Sequence, residues 1–234
     1  MDYSEIIKKI EAYILENFDI LKLLYLREMD CRYSLLINDI KNEKNFVQIR
    51  NKIETFFKFQ GMNNEQRNNF LNMFDVEKDR IKSVNTGNIN EVFELYCELL
   101  EEADEITEKY QYVNTAKLMN LYNQNIPLYD NNVIDFLNYL GFDIERRTKE
   151  TYSHILNIYK LINEQKNEHN IIIKLKDCIY SDMEIKYINL NKFVDTLMYF
   201  INDSNEISEY KKLCIKKKNN GKANSFCNKK NDRY

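Results

Sequence analysis

A chain of 234 residues with 44% hydrophobic and 30% charged side chains has the size and composition of one globular domain with a real core, which excludes a fibrous or wholly disordered protein. Only 4 Gly and 1 Pro are present, which argues against β-sandwiches, glycine-rich phosphate loops and long flexible linkers, all of which need turn residues. The net charge of -3 is unevenly placed: residues 211–234 hold nine cations (Lys211, Lys212, Lys216, Lys217, Lys218, Lys222, Lys229, Lys230, Arg233) against Asp232, a tail of +8 that leaves -11 for residues 1–210.

In chain order, Ser4 is the expected N-cap of a first helix carrying Ile6, Ile7, Ile10 and Ile14 at helical spacing. Leu21, Leu23, Leu24 and Leu26 continue an apolar helix, and Cys31–Ile40 is a further apolar stretch. The next helix spans Phe46 to Phe59, with Ile49, Ile53, Phe56 and Phe57 on one face and Gly61 as its stop. A short helix holding Phe70, Leu71, Met73 and Phe74 follows, then a loop over Ser83–Asn90. Glu91–Tyr110 reads as a strong helix whose buried stripe is Val92, Phe93, Tyr96, Leu99, Leu100, Ala103 and Ile106. Its other face is acidic (Glu98, Glu101, Glu102, Asp104, Glu105), which fits either a solvated face or a cation site.

Asn114 can cap a short helix with Ala116, Lys117, Leu118, Leu121 and Tyr122. The polar loop Asn123–Asn125 leads through Ile126-Pro127-Leu128-Tyr129 to Asp130, the expected N-cap of a helix with Val133, Ile134, Phe136, Leu137 and Leu140 that Gly141 ends. Another helix starts near Thr148 and carries Tyr152, His154, Ile155, Leu156, Tyr159 and Leu161. Ile171–Leu175 is β-branched and fits a short strand or a helix. Phe193, Leu197, Met198 and Ile201 mark the last amphipathic helix, which Lys192 and Asp195 would help to dock.

The fold class expected is therefore all-α: one helical domain over 1–210 and a basic, disordered tail over 211–234. The tail reads either as an arm for a polyanion or as a solubilising appendage. No apolar run of about 18 residues exists, so no membrane span is expected. Met1-Asp2-Tyr3-Ser4-Glu5 lacks the pattern of a signal peptide, and the scattered cysteines (Cys31, Cys97, Cys178, Cys214, Cys227) read as reduced thiols, so the expected location is the cytoplasm. Closely spaced Cys or His pairs are missing, and the two histidines are His154 and His169; no metal and no cofactor is expected.

The segment 112–141 carries a resemblance. Ala116-Lys117 opening a helix, then Pro127, then Asp130-Asn131-Asn132-Val133 opening the next, is similar to the central segment of the helix-hairpin-helix DNA glycosylase superfamily. Asn191-Lys192-Phe193-Val194-Asp195-Thr196-Leu197 resembles the closing helix of small relatives of that superfamily. The resemblance implies catalytic roles for Lys117, which would attack the sugar carbon, and for Asp130, which would stabilise positive charge on the deoxyribose. It also implies DNA as partner, excision of a damaged base, and phosphate contacts from Asn114 and Thr115, to which Lys216, Lys217 and Lys218 would add. Tyr112, Tyr122 and Tyr129 fit either stacking on a flipped base or packing in the core. The superfamily's glycine hairpin is not present in Lys109–Asn114, the Lys117–Asp130 spacing of thirteen is short, and no iron–sulfur cysteine cluster follows. These departures support the alternative, a non-catalytic helical module that keeps the fold and binds protein partners.

Overall fold

The computed structural model describes residues 2–28, 36–40, 42, 46–57, 59, 61–164, 170–181 and 190–203. The tail from Lys211, with Lys216, Lys217 and Lys218, and the residues Cys31 and His169 lie outside the described residues. Among the described residues the fold is all-α, without a strand. The helices are α1 (Tyr3–Glu16), α2 (Phe18–Glu28), α3 (36–40), α4 (Phe46–Phe57), α5 (Asn64–Ser83), α6 (Ile89–Thr107), α7 (Tyr112–Tyr122), α8 (Asn131–Tyr139), α9 (Lys149–Glu164), α10 (Ile171–Ser181) and α11 (Leu190–Asp203). No described helix is long and apolar enough to cross a membrane.

The caps set several boundaries that periodicity alone misplaces. Asp2, not Ser4, caps α1: its Oδ1 accepts the Ser4 and Glu5 N–H groups at 2.9 and 3.3 Å. The short helix expected around Phe70 is the 20-residue α5, started by a capping box in which Asn63 and Gln66 exchange side-chain and backbone hydrogen bonds of 2.9 and 3.1 Å. Asn88 caps α6, which stops at Thr107 rather than Tyr110 because Glu108 turns left-handed at φ 57°. Asn114 does not cap α7: the helix already begins at Tyr112, and Asn114 lies inside it, donating to Gln111 Oε1 at 2.9 Å. The β-branched run Ile171–Leu175 is helical, opened by Asn170, whose Oδ1 accepts the Ile172 N–H at 2.8 Å.

Two groups of helices share one core. In the first, α6 packs against α5 and α7, burying Val92, Leu95, Tyr96, Leu99, Leu100 and Ala103. In the second, α1 packs on α2, α9 and α10, and α11 packs on α2, α8 and α10. The α6–α9 contact joins the groups through Tyr96 and Tyr152, whose ring centroids are 4.0 Å apart. Burying an aliphatic or aromatic side chain of this kind contributes about 1.5–3 kcal/mol. Gly141 takes φ 91° just after the last turn of α8, a conformation that ends a helix and that glycine adopts without strain. Gly61 also takes positive φ, but α4 already ends at Phe57, short of the expected Phe59, so the glycine does not stop it.

Candidate functional site

The turn from α6 into α7 contains no glycine and is held by a polar knot. Thr107 Oγ1 bonds the Ala103 and Lys109 carbonyls, both at 2.8 Å, and accepts from Gln111 Nε2 at 3.3 Å. Gln66 Nε2 reaches across from α5 to the Thr107 carbonyl at 3.2 Å. Side chains rather than open backbone amides thus hold this turn. Thr115 is fully buried, so it does not face solvent where a phosphate would approach.

The loop between α7 and α8 is fixed carbonyl by carbonyl. Asn191 Nδ2 from α11 donates to the Asn125 carbonyl at 2.7 Å. Asn120 Nδ2 from α7 donates to the Ile126 carbonyl at 2.6 Å, and the Tyr152 hydroxyl from α9 donates to the Pro127 carbonyl at 2.9 Å. Asn123 anchors the loop to the end of α5 through the Ile81 carbonyl at 3.1 Å. A buried carbonyl left without a donor would cost about 1–3 kcal/mol, so these contacts define one loop conformation.

That loop delivers Asp130 to the start of α8. As its N-cap, Asp130 accepts the Asn132 backbone N–H and the Asn132 Nδ2, both at 2.9 Å, on Oδ1. Its Oδ2 meets Lys117 Nζ at 2.8 Å, with side-chain exposures of 19% and 21%. Both expected residues therefore meet, across the loop, in a partly shielded ion pair. Burial raises the Asp130 carboxyl, but the Lys117 charge and hydrogen bond, the Asn132 N–H and the Lys192 charge outweigh it and hold the group below the ordinary aspartate value.

α11 adds a second pair. Lys192 Nζ lies 2.9 Å from Asp195 Oδ2, and the Asp195 side chain is only 8% exposed. Asp195 Oδ1 and the buried Tyr159 hydroxyl have no hydrogen-bond partner among the described residues. Burial raises the Asp195 carboxyl above the ordinary value; Lys192 opposes the shift and Asp130 adds to it. Burial also raises the Tyr159 phenol, and Asp195 and Asp130 push it the same way.

Beside this cluster is a cleft of about 380 Å³ lined by Ile89, Asn125, Pro127, Leu156, Tyr159 and Asn191, among others. Neither Lys117 nor Asp130 lines it; Tyr159 is the side chain common to the cleft and to the charged cluster.

Tyr129 is core, stacked on Tyr152 with centroids 6.1 Å apart, whereas Tyr112 and Tyr122 are half-buried. His154 is half-buried and hydrogen-bonded to the Tyr3 hydroxyl at 2.8 Å. On the acidic face of α6, Glu98 pairs with Arg80 and Glu101 with Lys149. No cluster of His, Cys, Asp and Glu suited to a metal ion occurs among the described residues.

Sequence reading passed over Asn120 and placed Tyr152, Tyr159 and Asn191 only within their helices, missing that Asn120, Tyr152 and Asn191 shape the loop and that Tyr159 joins cluster and cleft. The signal for the asparagines was hidden by the abundance of Asn along the chain, which reads as compositional background. No protein family, no curated protein and no solved structure matches this chain.

Proposed function

We propose that this chain is a glycosylase-type helical protein that engages DNA and excises a damaged base, with Lys117 and Asp130 as its reactive pair. The observation that carries the reading is their meeting at 2.8 Å across the α7–α8 loop, where the resemblance would put an amine and a carboxylate together. Asp130 is ionised at neutral pH and sits at a fixed helix terminus, as a carboxylate must to stabilise an oxocarbenium-like centre. The incoming substrate would separate Lys117 from Asp130, its Nζ would give its proton to solvent and attack the sugar carbon, and the glycosidic C–N bond would break as the base leaves with that electron pair. The target base has to leave the duplex stack first. The basic tail, with Lys216, Lys217 and Lys218, would supply affinity that is independent of sequence and falls with salt.

A second reading is favoured by the closed α6–α7 turn and buried Thr115: a non-catalytic helical module that binds a protein partner. Excision assays on a panel of lesion-containing duplexes, run with a salt titration of DNA binding, separate the two. The glycosylase reading expects product from at least one lesion and binding that weakens as salt rises. Salt-insensitive or absent DNA binding with no product from any lesion overturns it and favours the module.

A further inference from the structure

A merely structural ion pair is a poor explanation of Lys192 and Asp195. Burying a carboxylate is unfavourable unless its oxygens are all used, and an apolar pair would dock α11 at least as well. Asp195 uses one oxygen on Lys192 and leaves the other, Oδ1, without a hydrogen-bond partner among the described residues. The buried Tyr159 hydroxyl likewise has no partner among the described residues, and burial, with the nearby charges of Asp195 and Asp130, raises its phenol. Unsatisfied buried polar atoms are rare in folded proteins, and each calls for a reason such as a catalytic role or a bound group. α11 packs on α8, and Asn191, next to Lys192 in the chain, donates to the Asn125 carbonyl at 2.7 Å in the loop that presents Asp130. Lys192 thus helps to hold the Asp130 carboxyl down, and Asp130 adds to the rise at Asp195.

We propose that Lys192 and Asp195 are positioning residues of the Lys117–Asp130 centre, which is therefore one four-charge unit built by α7, α8 and α11. This inference rests on the reading of Lys117 and Asp130 as the reactive pair. Lys192 supplies a second cation beside Asp130, so that Asp130 stays ionised when Lys117 moves away to meet a substrate. Asp195 holds Lys192 in that place through Oδ2. Its Oδ1 and the Tyr159 hydroxyl, both buried, are hydrogen-bonding positions that a group entering the unit would meet. The groups facing Asp195 are Lys192 from its own helix, Lys117 from α7, Asp130 from α8 and Tyr159 from α9.

The test is a carboxylate-resolved NMR titration of the full chain, labelled at the aspartate carboxyl carbon, in the parent and in Asp130→Asn, Lys192→Gln and Lys192→Arg. A coupled unit lowers the Asp195 midpoint in Asp130→Asn, because a like charge is gone. It raises both the Asp130 and the Asp195 midpoints in Lys192→Gln, and Lys192→Arg restores them. An Asp195 midpoint that ignores Asp130→Asn overturns the proposal, as does an Asp130 midpoint that ignores Lys192→Gln. Excision by the same proteins keeps the two ideas apart. Coupled titrations in a parent that excises nothing support the unit and remove the glycosylase reading. Excision by a parent whose two aspartates titrate independently keeps that reading and removes the unit.

Discussion

The side-chain amide of Asn191 donates to the backbone carbonyl of Asn125 at 2.7 Å, tying α11 to the loop that presents Asp130. Asn163 in turn donates to Asn191 Oδ1 at 2.6 Å, so the amide's orientation is set from α9. Asn191→Ala should therefore destabilise the fold by about 1–3 kcal/mol, the usual loss when a buried polar group is left unpaired. Urea denaturation measures it, and a loss within about 0.5 kcal/mol, as for an ordinary surface position, would count against this role. Asn120→Ala, which strips the donor from the Ile126 carbonyl, should lose a similar amount.

Asp130 combines capping with ion pairing, and two substitutions divide the roles. Asp130→Asn keeps an acceptor for the Asn132 N–H and loses only the charge opposite Lys117. Asp130→Ala loses both. The alanine variant should be less stable than the asparagine variant by about 1 kcal/mol, the typical worth of an N-cap. Equal stability in urea would mean that the cap contributes nothing here.

pH dependence follows from opposite shifts at the two aspartates. Burial raises the Asp130 carboxyl, but Lys117 and the other partners bring it below its ordinary value. Folding thus favours ionised Asp130, and this stabilisation is complete above the ordinary aspartate value of about 3.9 and lost as the pH falls through the lower folded value. Asp195 is raised by burial, so its contribution is complete below the same ordinary value and is lost as the pH rises through the folded value. Stability measured in urea against pH should fall less steeply on the acid side in Asp130→Asn. In Asp195→Asn the decline from mild acid toward neutrality should flatten. Parallel curves for the parent and both variants would remove these assignments.

Among the described residues Arg147 is one of two non-glycine residues at positive φ, at 61°, and its N–H donates to the Tyr129 hydroxyl at 2.5 Å. The turn into α9 thus holds an L-residue in a left-handed conformation against a buried phenol. Arg147→Gly should relieve this strain and leave the melting temperature unchanged or slightly higher, by the equivalent of at most about 1 kcal/mol. Tyr129→Phe should lower it, since the Arg147 N–H loses its partner. A clear loss of stability in Arg147→Gly would show that the arginine side chain, not the backbone, matters at this turn.

Much of this architecture was legible in the sequence because apolar spacing announces helices directly. Val92, Tyr96, Leu99, Leu100 and Ala103 of α6 and Val133, Ile134, Phe136 and Leu137 of α8 are buried as periodicity expects, and Asp130 caps α8, whereas Leu95 is buried outside the expected stripe and Phe93 and Ile106 are only half-buried. Boundaries were less legible, because caps depend on which polar side chain turns back: Asp2 rather than Ser4, Asn63 with Gln66 rather than any signal near Phe70. The run Ile171–Leu175 shows propensity overridden by packing, since a β-branched stretch is helical when its neighbours α1, α2 and α11 are helices. Of the site, Lys117 and Asp130 were visible as residue types at a spacing. Lys192 and Asp195 were visible only as parts of a separate helix. Their approach to the first pair depends on α11 packing on α8, a tertiary contact that no local pattern encodes.

The central claim is that Lys117 and Asp130 form a reactive pair, and borohydride trapping on lesion-containing duplexes tests it most directly. Reduction should link the parent covalently to DNA carrying a susceptible lesion or an abasic site. Lys117→Gln should abolish the adduct while keeping the fold, and Asp130→Asn should fold and yet excise almost nothing. Trapping that persists undiminished in Lys117→Gln, or a parent that forms no adduct with any duplex in the panel, would contradict the account.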